Sequence, residues 1–271
     1  MFQIEIGIDP IIAQLGPFAL RWYSLAVMVA IVIAAVVTRR ELTRRGIALR
    51  NFDTIAFWTV VGGILGARLF HVIDSPERFI ENPAEIFAVW EGGLAIYGAV
   101  GGGFAALAIM SRTYRFPFRR VLDAIAPGLV LAQAFGRIGC ITNGGDAWGA
   151  PTPWPFAFIY TNPDATMIPR ELLGVPTHPY AVYDMALNLV IFAVIWPLRK
   201  RLLPPGAIFA VFAALYAAGR FVISFVRQEK IWFWGLQEAQ VIALIALGVS
   251  LVTLAWLLYR DQPAAKLTAR A

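Results

Sequence analysis

The chain has 271 residues, of which 59% are hydrophobic and 15% charged, and its mean hydropathy is +0.67. Those proportions exclude an ordinary soluble domain and point to one polytopic membrane bundle rather than two soluble domains. The net charge of +6 calls for no nucleic acid, because most of the arginines fall in short loops between apolar runs.

Seven apolar runs of spanning length follow in chain order, at about residues 17–37, 54–73, 92–111, 121–141, 180–198, 206–226 and 238–258. The expected fold is an all-α integral membrane protein of seven transmembrane helices, treated as one domain over residues 1–271. No ten-residue stretch alternates polar with apolar residues, which argues against a membrane β-barrel. The N-terminus lacks a basic region and a small-residue cleavage site, so the first run is expected to remain in the mature protein. The single cysteine, Cys140, excludes an intrachain disulfide.

Loop charge sets the expected orientation. Arg39, Arg40, Arg44, Arg45 and Arg50 follow the first run, and Arg112, Arg115, Arg119 and Arg120 the third. Arg199, Lys200 and Arg201 follow the fifth, and the tail carries Arg260, Lys266 and Arg270. The alternate loops hold acids such as Asp74, Glu77, Glu81, Glu85 and Glu91. A positive-inside reading puts the N-terminus outside, in the periplasm, and the C-terminus in the cytoplasm. The largest outer segment, residues 142–179, is rich in proline, glycine and aromatic residues and is expected to fold back onto the membrane surface.

Four further arginines lie near the outer ends of apolar runs: Arg21, Arg68, Arg137 and Arg220. A charge at that depth is costly, by roughly 2.5–3.5 kcal/mol on translocon scales. Each arginine alone can snorkel to the interface. Four at one level, with Gly66, Gly136, Gly139 and Gly219 beside three of them, suggest a pocket for a lipid anion. Phosphate suits guanidinium, which is planar, permanently charged and bidentate.

Tyr23, Tyr97, Asn143 and Asp146 fall near the same level, and Arg220, Ser224 and Arg227, spaced i, i+4, i+7, are expected to share one face of the sixth helix. Aromatic-belt and helix-packing roles are the structural alternatives for the tyrosines and glycines. Two histidines, His71 and His178, and one cysteine give no metal-ligand spacing, and no nucleophile elbow is present. No metal or cofactor is expected.

The ordered motifs are more specific. Arg21-Trp22-Tyr23 comes first, then Gly-Ala-Arg at 66–68 and Glu-Gly-Gly-Leu at 91–94. Gly-Arg-Ile-Gly at 136–139 leads into Asn-Gly-Gly-Asp-Ala-Trp-Gly at 143–149. His178-Pro179, Tyr183-Asp184, Gly219-Arg220-Phe221, Arg227 and Gln240 complete the set. In this order, over nearly the whole chain, it resembles the prolipoprotein diacylglyceryl transferase family.

The resemblance implies a bacterial inner-membrane enzyme whose active site faces the periplasmic leaflet. Such an enzyme moves the sn-1,2-diacylglyceryl group of phosphatidylglycerol to the lipobox cysteine of a preprolipoprotein, forms a thioether and releases glycerol 1-phosphate. It implies catalytic roles for Arg137, Arg220, Tyr97 and Asp146. Substrate-binding roles fall to Arg137, Tyr23, Arg21, Arg68, Asn143, Arg227 and His178. The implied partners are phosphatidylglycerol, the preprolipoprotein signal peptide and membrane lipids, with no nucleic acid. Many family members carry histidine where Tyr97 stands, asparagine at Cys140 and glutamate at Ser224, so an arginine–carboxylate pair on the sixth helix is missing here. Two other classes compete with the transferase: an anion or lipid transporter, and a lipid-binding homologue without catalysis. The first needs polar residues through the full depth of the bundle, and the cytoplasmic halves of the runs are almost wholly apolar.

Overall fold

The computed structural model describes all residues except 1–2, 17, 88–92, 94, 145–148, 166–167, 230 and 269–271. Its long helices are α1 (Trp22–Arg44), α2 (Phe52–Asp74), α4 (Ile96–Thr113), α5 (Phe118–Asn143), α6 (Tyr180–Leu198), α7 (Ala207–Ile223) and α8 (Glu238–Thr268), with a short α3 (Pro76–Glu81). Among the described residues six helices are long and apolar enough to cross a membrane: α1, α2, α5, α6, α7 with its following turn, and α8. Their outward faces are apolar, as at Val32, Leu65, Val190 and Val252, which are more than half exposed. Such faces suit a lipid solvent, which leaves small and polar residues to make the helix contacts. The protein is therefore an integral membrane protein.

Helix α4 is not among the six. It begins at Ile96 rather than near 92, carries four glycines and closes on Ser111-Arg112-Thr113.

The spans are all α-helical, and outside them the chain adds two short two-stranded sheets. Strands β2 (Ile11–Leu15) and β3 (Phe18–Arg21) form an antiparallel hairpin, and β1 (Gln3–Ile6) pairs in parallel with β4 (Ala157–Tyr160). The first helix consequently starts at Trp22, not at 17, and Arg21 ends a strand instead of sitting in a helix. Gly16, at φ +61, turns the chain between the two hairpin strands.

Two compact units divide the chain, one made of Met1–Glu41 with Leu122–Ala271 and the other of Leu42–Val121. In the first, α5, α6 and α7 share a core of Ala126, Val130, Ile191, Ile195, Ile208 and Phe212. Helix α1 lies so close to α5 that a Cβ on Gly139 would stand 2.8 Å from the Ala26 methyl, and one on Gly128 2.8 Å from the Ala34 carbonyl oxygen. The N-terminus of α7 is capped from α5. There the carboxylate of Asp123 accepts the amides of Gly206 at 2.8 Å and Phe209 at 3.0 Å. The segment between α5 and α6 makes a small core of its own with β1, from Ile6, Phe158, Tyr160 and Ile168.

In the second unit α2 and α4 meet backbone to backbone. A Cβ on Gly66 would lie 2.3 Å from the Gly98 carbonyl oxygen, and one on Gly102 2.2 Å from that of Gly62. Two small-residue pairs spaced four apart thus interlock, the arrangement that lets apolar helices associate without a hydrophobic drive.

Candidate functional site: an arginine cluster around a buried tyrosine

Helix α6 enters its span with three polar residues one turn apart, Tyr180, Asp184 and Asn188, all fully buried. The i, i+4, i+8 spacing puts them on one face, a polar stripe in an otherwise apolar helix. Asn188 Nδ2 donates to the Asp184 carbonyl at 2.8 Å. Facing the stripe is Arg137 of α5, whose Nε donates to Asp184 Oδ2 in a short ion pair. Its Nη1 reaches Cys140 Sγ, one turn on, at 3.6 Å.

The Tyr180 ring is a common surface for three guanidinium groups. The Cζ atoms of Arg227, Arg220 and Arg137 stand 5.0, 5.4 and 5.8 Å from its centroid. Each lies within cation–π range, and a desolvated ring face strengthens that attraction. Glu229 bridges two of the three, its Oε1 lying 2.7 Å from Arg227 Nη1 and 3.3 Å from Arg220 Nη2. Three buried atoms of their partners, Asp184 Oδ1, Tyr180 Oη and Glu229 Oε2, have no hydrogen-bond partner among the described residues. The cluster therefore combines cationic donors with acceptor atoms that have no hydrogen-bond partner among the described residues.

Local backbone explains how Arg227 arrives. The expectation that Arg220, Ser224 and Arg227 share one helical face fails, because α7 ends at Ile223 and tightens into a 3₁₀ turn over Ser224–Val226. Ser224 Oγ donates back to the Arg220 carbonyl at 2.8 Å, and Arg227 is extended at φ −108, ψ 154. From there Arg227 bridges to Gly149, and the Ala150 amide donates to the Val226 carbonyl at 2.8 Å. Gly149 also packs tightly against the residue before α6, since a Cβ on it would fall 2.4 Å from His178 Cβ. The Gln237 side chain holds the Arg227 carbonyl at 2.8 Å, and Gln240 Oε1 accepts the Gln237 amide at 2.9 Å where α8 begins.

The carboxylate thought missing from the sixth helix is thus supplied from beyond it, by Glu229 after the turn. Glu229 and Tyr180 are the residues that sequence reasoning did not single out. Asp184 was visible only as part of a motif, although an acid inside an apolar run is itself a signal.

The remaining site candidates are placed as follows. His178 is half-buried just before α6, its Nδ1 3.3 Å from the Tyr183 hydroxyl, and burial lowers its pKa from the ordinary value. Asn143 is buried at the end of α5. Tyr23 is exposed in the first turn of α1, and Arg21 is half-buried at the end of β3. Tyr160 donates to the Ile141 carbonyl at 3.3 Å, and burial, with the nearby Cys140, pushes its phenol well above the ordinary range.

Arg68 and Tyr97 belong to the second unit. Arg68 is buried and donates to three backbone carbonyls, those of Ile86 at 2.9 Å, Gly93 at 3.2 Å and Glu85. Its guanidinium also lies over the Phe79 ring at 5.3 Å. It therefore ties the loop between α2 and α4 to α2. Tyr97 opens α4 against Phe70, ring centroids 6.2 Å apart. Asp146 lies outside the described residues. Among the described residues no group of three or more His, Cys, Asp or Glu side chains is arranged to hold a metal ion.

The family model described as prolipoprotein diacylglyceryl transferase matches residues 10–256. The chain is similar to the phosphatidylglycerol–prolipoprotein diacylglyceryl transferase of Nostoc sp., 32% identical over 262 residues, covering 94% of this chain and 91% of that one. It is 35% identical over 261 residues to the protein of that name from Symbiobacterium thermophilum, covering 95% and 96%. With the counterpart from Lysinibacillus sphaericus it shares 33% identity over 269 residues, covering 98% of each.

Proposed function

Because the chain belongs to the prolipoprotein diacylglyceryl transferase family, we propose that it transfers the sn-1,2-diacylglyceryl group of phosphatidylglycerol to the lipobox cysteine of preprolipoproteins. This is the first step of lipoprotein maturation. One observation carries the reading at the level of chemistry: three guanidinium groups gather on one buried aromatic ring where helices α5, α6 and α7 meet. The cysteine sulfur attacks the glyceryl carbon that bears the phosphate ester. A C–S bond forms, the C–O bond breaks, and glycerol 1-phosphate leaves with the electron pair.

Arginine suits both demands of that step. A free thiol with a pKa near ~8.5 is mostly protonated at neutral pH, and nearby guanidinium charge favours the thiolate. The same charge stabilises the phosphate as negative charge builds on its leaving oxygen. Arg137 and Arg220 take these roles, with Arg227, Arg21 and His178 on the headgroup and Asn143 and Tyr23 as further substrate contacts. Asp184 and Glu229 hold the arginines in place. Asp146 and Tyr97 act in substrate contact, and Arg68 acts by positioning its loop.

In the membrane, α4 is the seventh span, the N-terminus is periplasmic and the C-terminus cytoplasmic. The excess of arginine in alternate loops supports that orientation. The location is the bacterial inner membrane, with the site open to the periplasmic leaflet.

The test is direct. Purified protein in phosphatidylglycerol micelles is incubated with a lipobox peptide, and thioether-linked lipid is read by mass spectrometry. Transfer is expected in the parent, and Arg137→Ala should lower it by at least about a hundredfold. Tyr97→Phe run alongside separates a hydroxyl role from packing. No product, under conditions where a characterised relative is active, would overturn the assignment.

A further inference from the structure

The two basic turns of the second unit do more than carry charge. At the end of α2 and α4 remote from Arg68 and Tyr97, the turn after α1 and the turn after α4 enclose a cavity of about 470 Å³. Arg45, Arg50, Arg115 and Arg120 are among its lining residues, and no carboxylate is. Ile55 and Phe116, both buried, give it an apolar floor. Among the described residues no ion pair engages Arg50, Arg115 or Arg120. The nearest acid along the chain, Asp53 in the first turn of α2, is exposed and outside the lining.

Two backbone features mark the same place. Asn51, which also lines the cavity, precedes α2 without making a side-chain cap bond. The amides of that first turn therefore add their partial positive charge to the arginines. Arg115 has φ +52, a left-handed conformation that costs a side-chain-bearing residue energy and persists only where its surroundings demand it. Membrane orientation requires basic residues near the ends of spans. It requires neither their convergence on one concavity, nor the exclusion of acids from it, nor arginine at every basic position. Those three features describe a bidentate oxyanion site. The volume falls within the range of small-molecule pockets.

We propose that this cavity binds a phosphate oxyanion, presented by an anionic lipid headgroup or free in solution. The site is separate from the arginine cluster around Tyr180 and does not depend on the transferase reading.

The test compares the parent protein with R50Q/R115Q/R120Q and with R40Q/R112Q/R201Q, which removes the same charge from basic loops outside the cavity. One arm titrates inorganic phosphate in neutral detergent. The other counts phosphatidic acid retained by native mass spectrometry against phosphatidylcholine. The cavity variant should bind at least about tenfold more weakly in one or both arms, with the matched variant near the parent. Loss in the lipid arm alone identifies a membrane headgroup, and loss in both identifies a site that also takes free phosphate. Because charge removal can disturb topology, R50K/R115K/R120K keeps every charge and removes only the planar fork. It too should bind more weakly than the parent. Equal loss in the two glutamine variants, or parent-like binding by the lysine variant, would reduce the cavity to diffuse positive charge and overturn the proposal.

Discussion

Arg137 and Asp184 join α5 to α6 through a buried ion pair between residues 47 positions apart, and the whole segment between the two helices lies between them in sequence. Asp184 is 1% exposed, so its charge has little water to rely on and Arg137 is its solvent. Asp184→Asn keeps the shape and removes the charge, leaving a buried cation uncompensated. We expect a loss of stability of about 3–5 kcal/mol. Transfer should fall by about a hundredfold, because a guanidinium misplaced by an ångström no longer meets its target. Thermal unfolding in detergent, paired with the peptide assay, checks both; a variant as stable and active as the parent removes the pair from the site.

Tyr180 separates ring from hydroxyl. Its ring is shared by three guanidinium groups, whereas its hydroxyl is buried without a hydrogen-bond partner among the described residues. Tyr180→Phe should therefore be neutral or slightly stabilising, since it removes a buried, unsatisfied polar atom. Tyr180→Leu should lose roughly 1–2 kcal/mol per desolvated cation–π contact and most of the activity. The reverse ranking in a melting and turnover series would show that the hydroxyl, not the ring, matters.

Glu229 predicts a split between kinetic constants. Gln at this position keeps an acceptor for Arg220 and Arg227 but no longer neutralises them. An anionic lipid should then bind no more weakly, while the orientation needed for bond breaking is relaxed. The expected outcome of Glu229→Gln is a kcat lowered by about tenfold or more with KM for phosphatidylglycerol unchanged or smaller. A raised KM with unchanged kcat would instead make Glu229 a direct contact for the substrate.

Burial holds the His178 pKa below the ordinary histidine value, so the unfolded chain binds the proton more readily than the folded one. Stability from this group is complete above pH ~6.5 and declines as acid is added through that value, levelling off once the folded form is protonated too. Melting temperatures between pH 7.5 and 5.5 should fall less in His178→Gln than in the parent. Identical slopes would assign the acid sensitivity to other groups.

The helices were legible in the sequence to different degrees, for physical reasons. Helix α6 spans Tyr180–Leu198, as read from its apolar run, because Pro179 and Arg199 bound that run sharply. The start of α1 was misplaced because Phe18, Ala19 and Leu20 are as apolar as the helix that follows, and hydropathy cannot distinguish a hairpin strand from a span. Arg137 and Arg220 stood out through their cost in an apolar context, and they do come together. Their carboxylate partners were harder to assign. Asp184 and Glu229 meet them only through contacts between separate elements, which carry no local pattern. Arg68 was read by the same cost argument, yet its partners are backbone carbonyls, and any sequence could have supplied those.

One cap governs two arginines. Asp123 of α5 binds the first amides of α7, and the chain runs from 123 to 137 along one helix and from 206 to 220 along the other. Arg137 and Arg220 each therefore stand fourteen residues, about 21 Å of helix, from a single hydrogen-bonded joint. The joint works as a common zero for two rulers of equal length. Adding one residue to either ruler swings its guanidinium by about 100° away from the other, so the depth and aim of the pair are set about four helical turns away, at the joint between α5 and the start of α7.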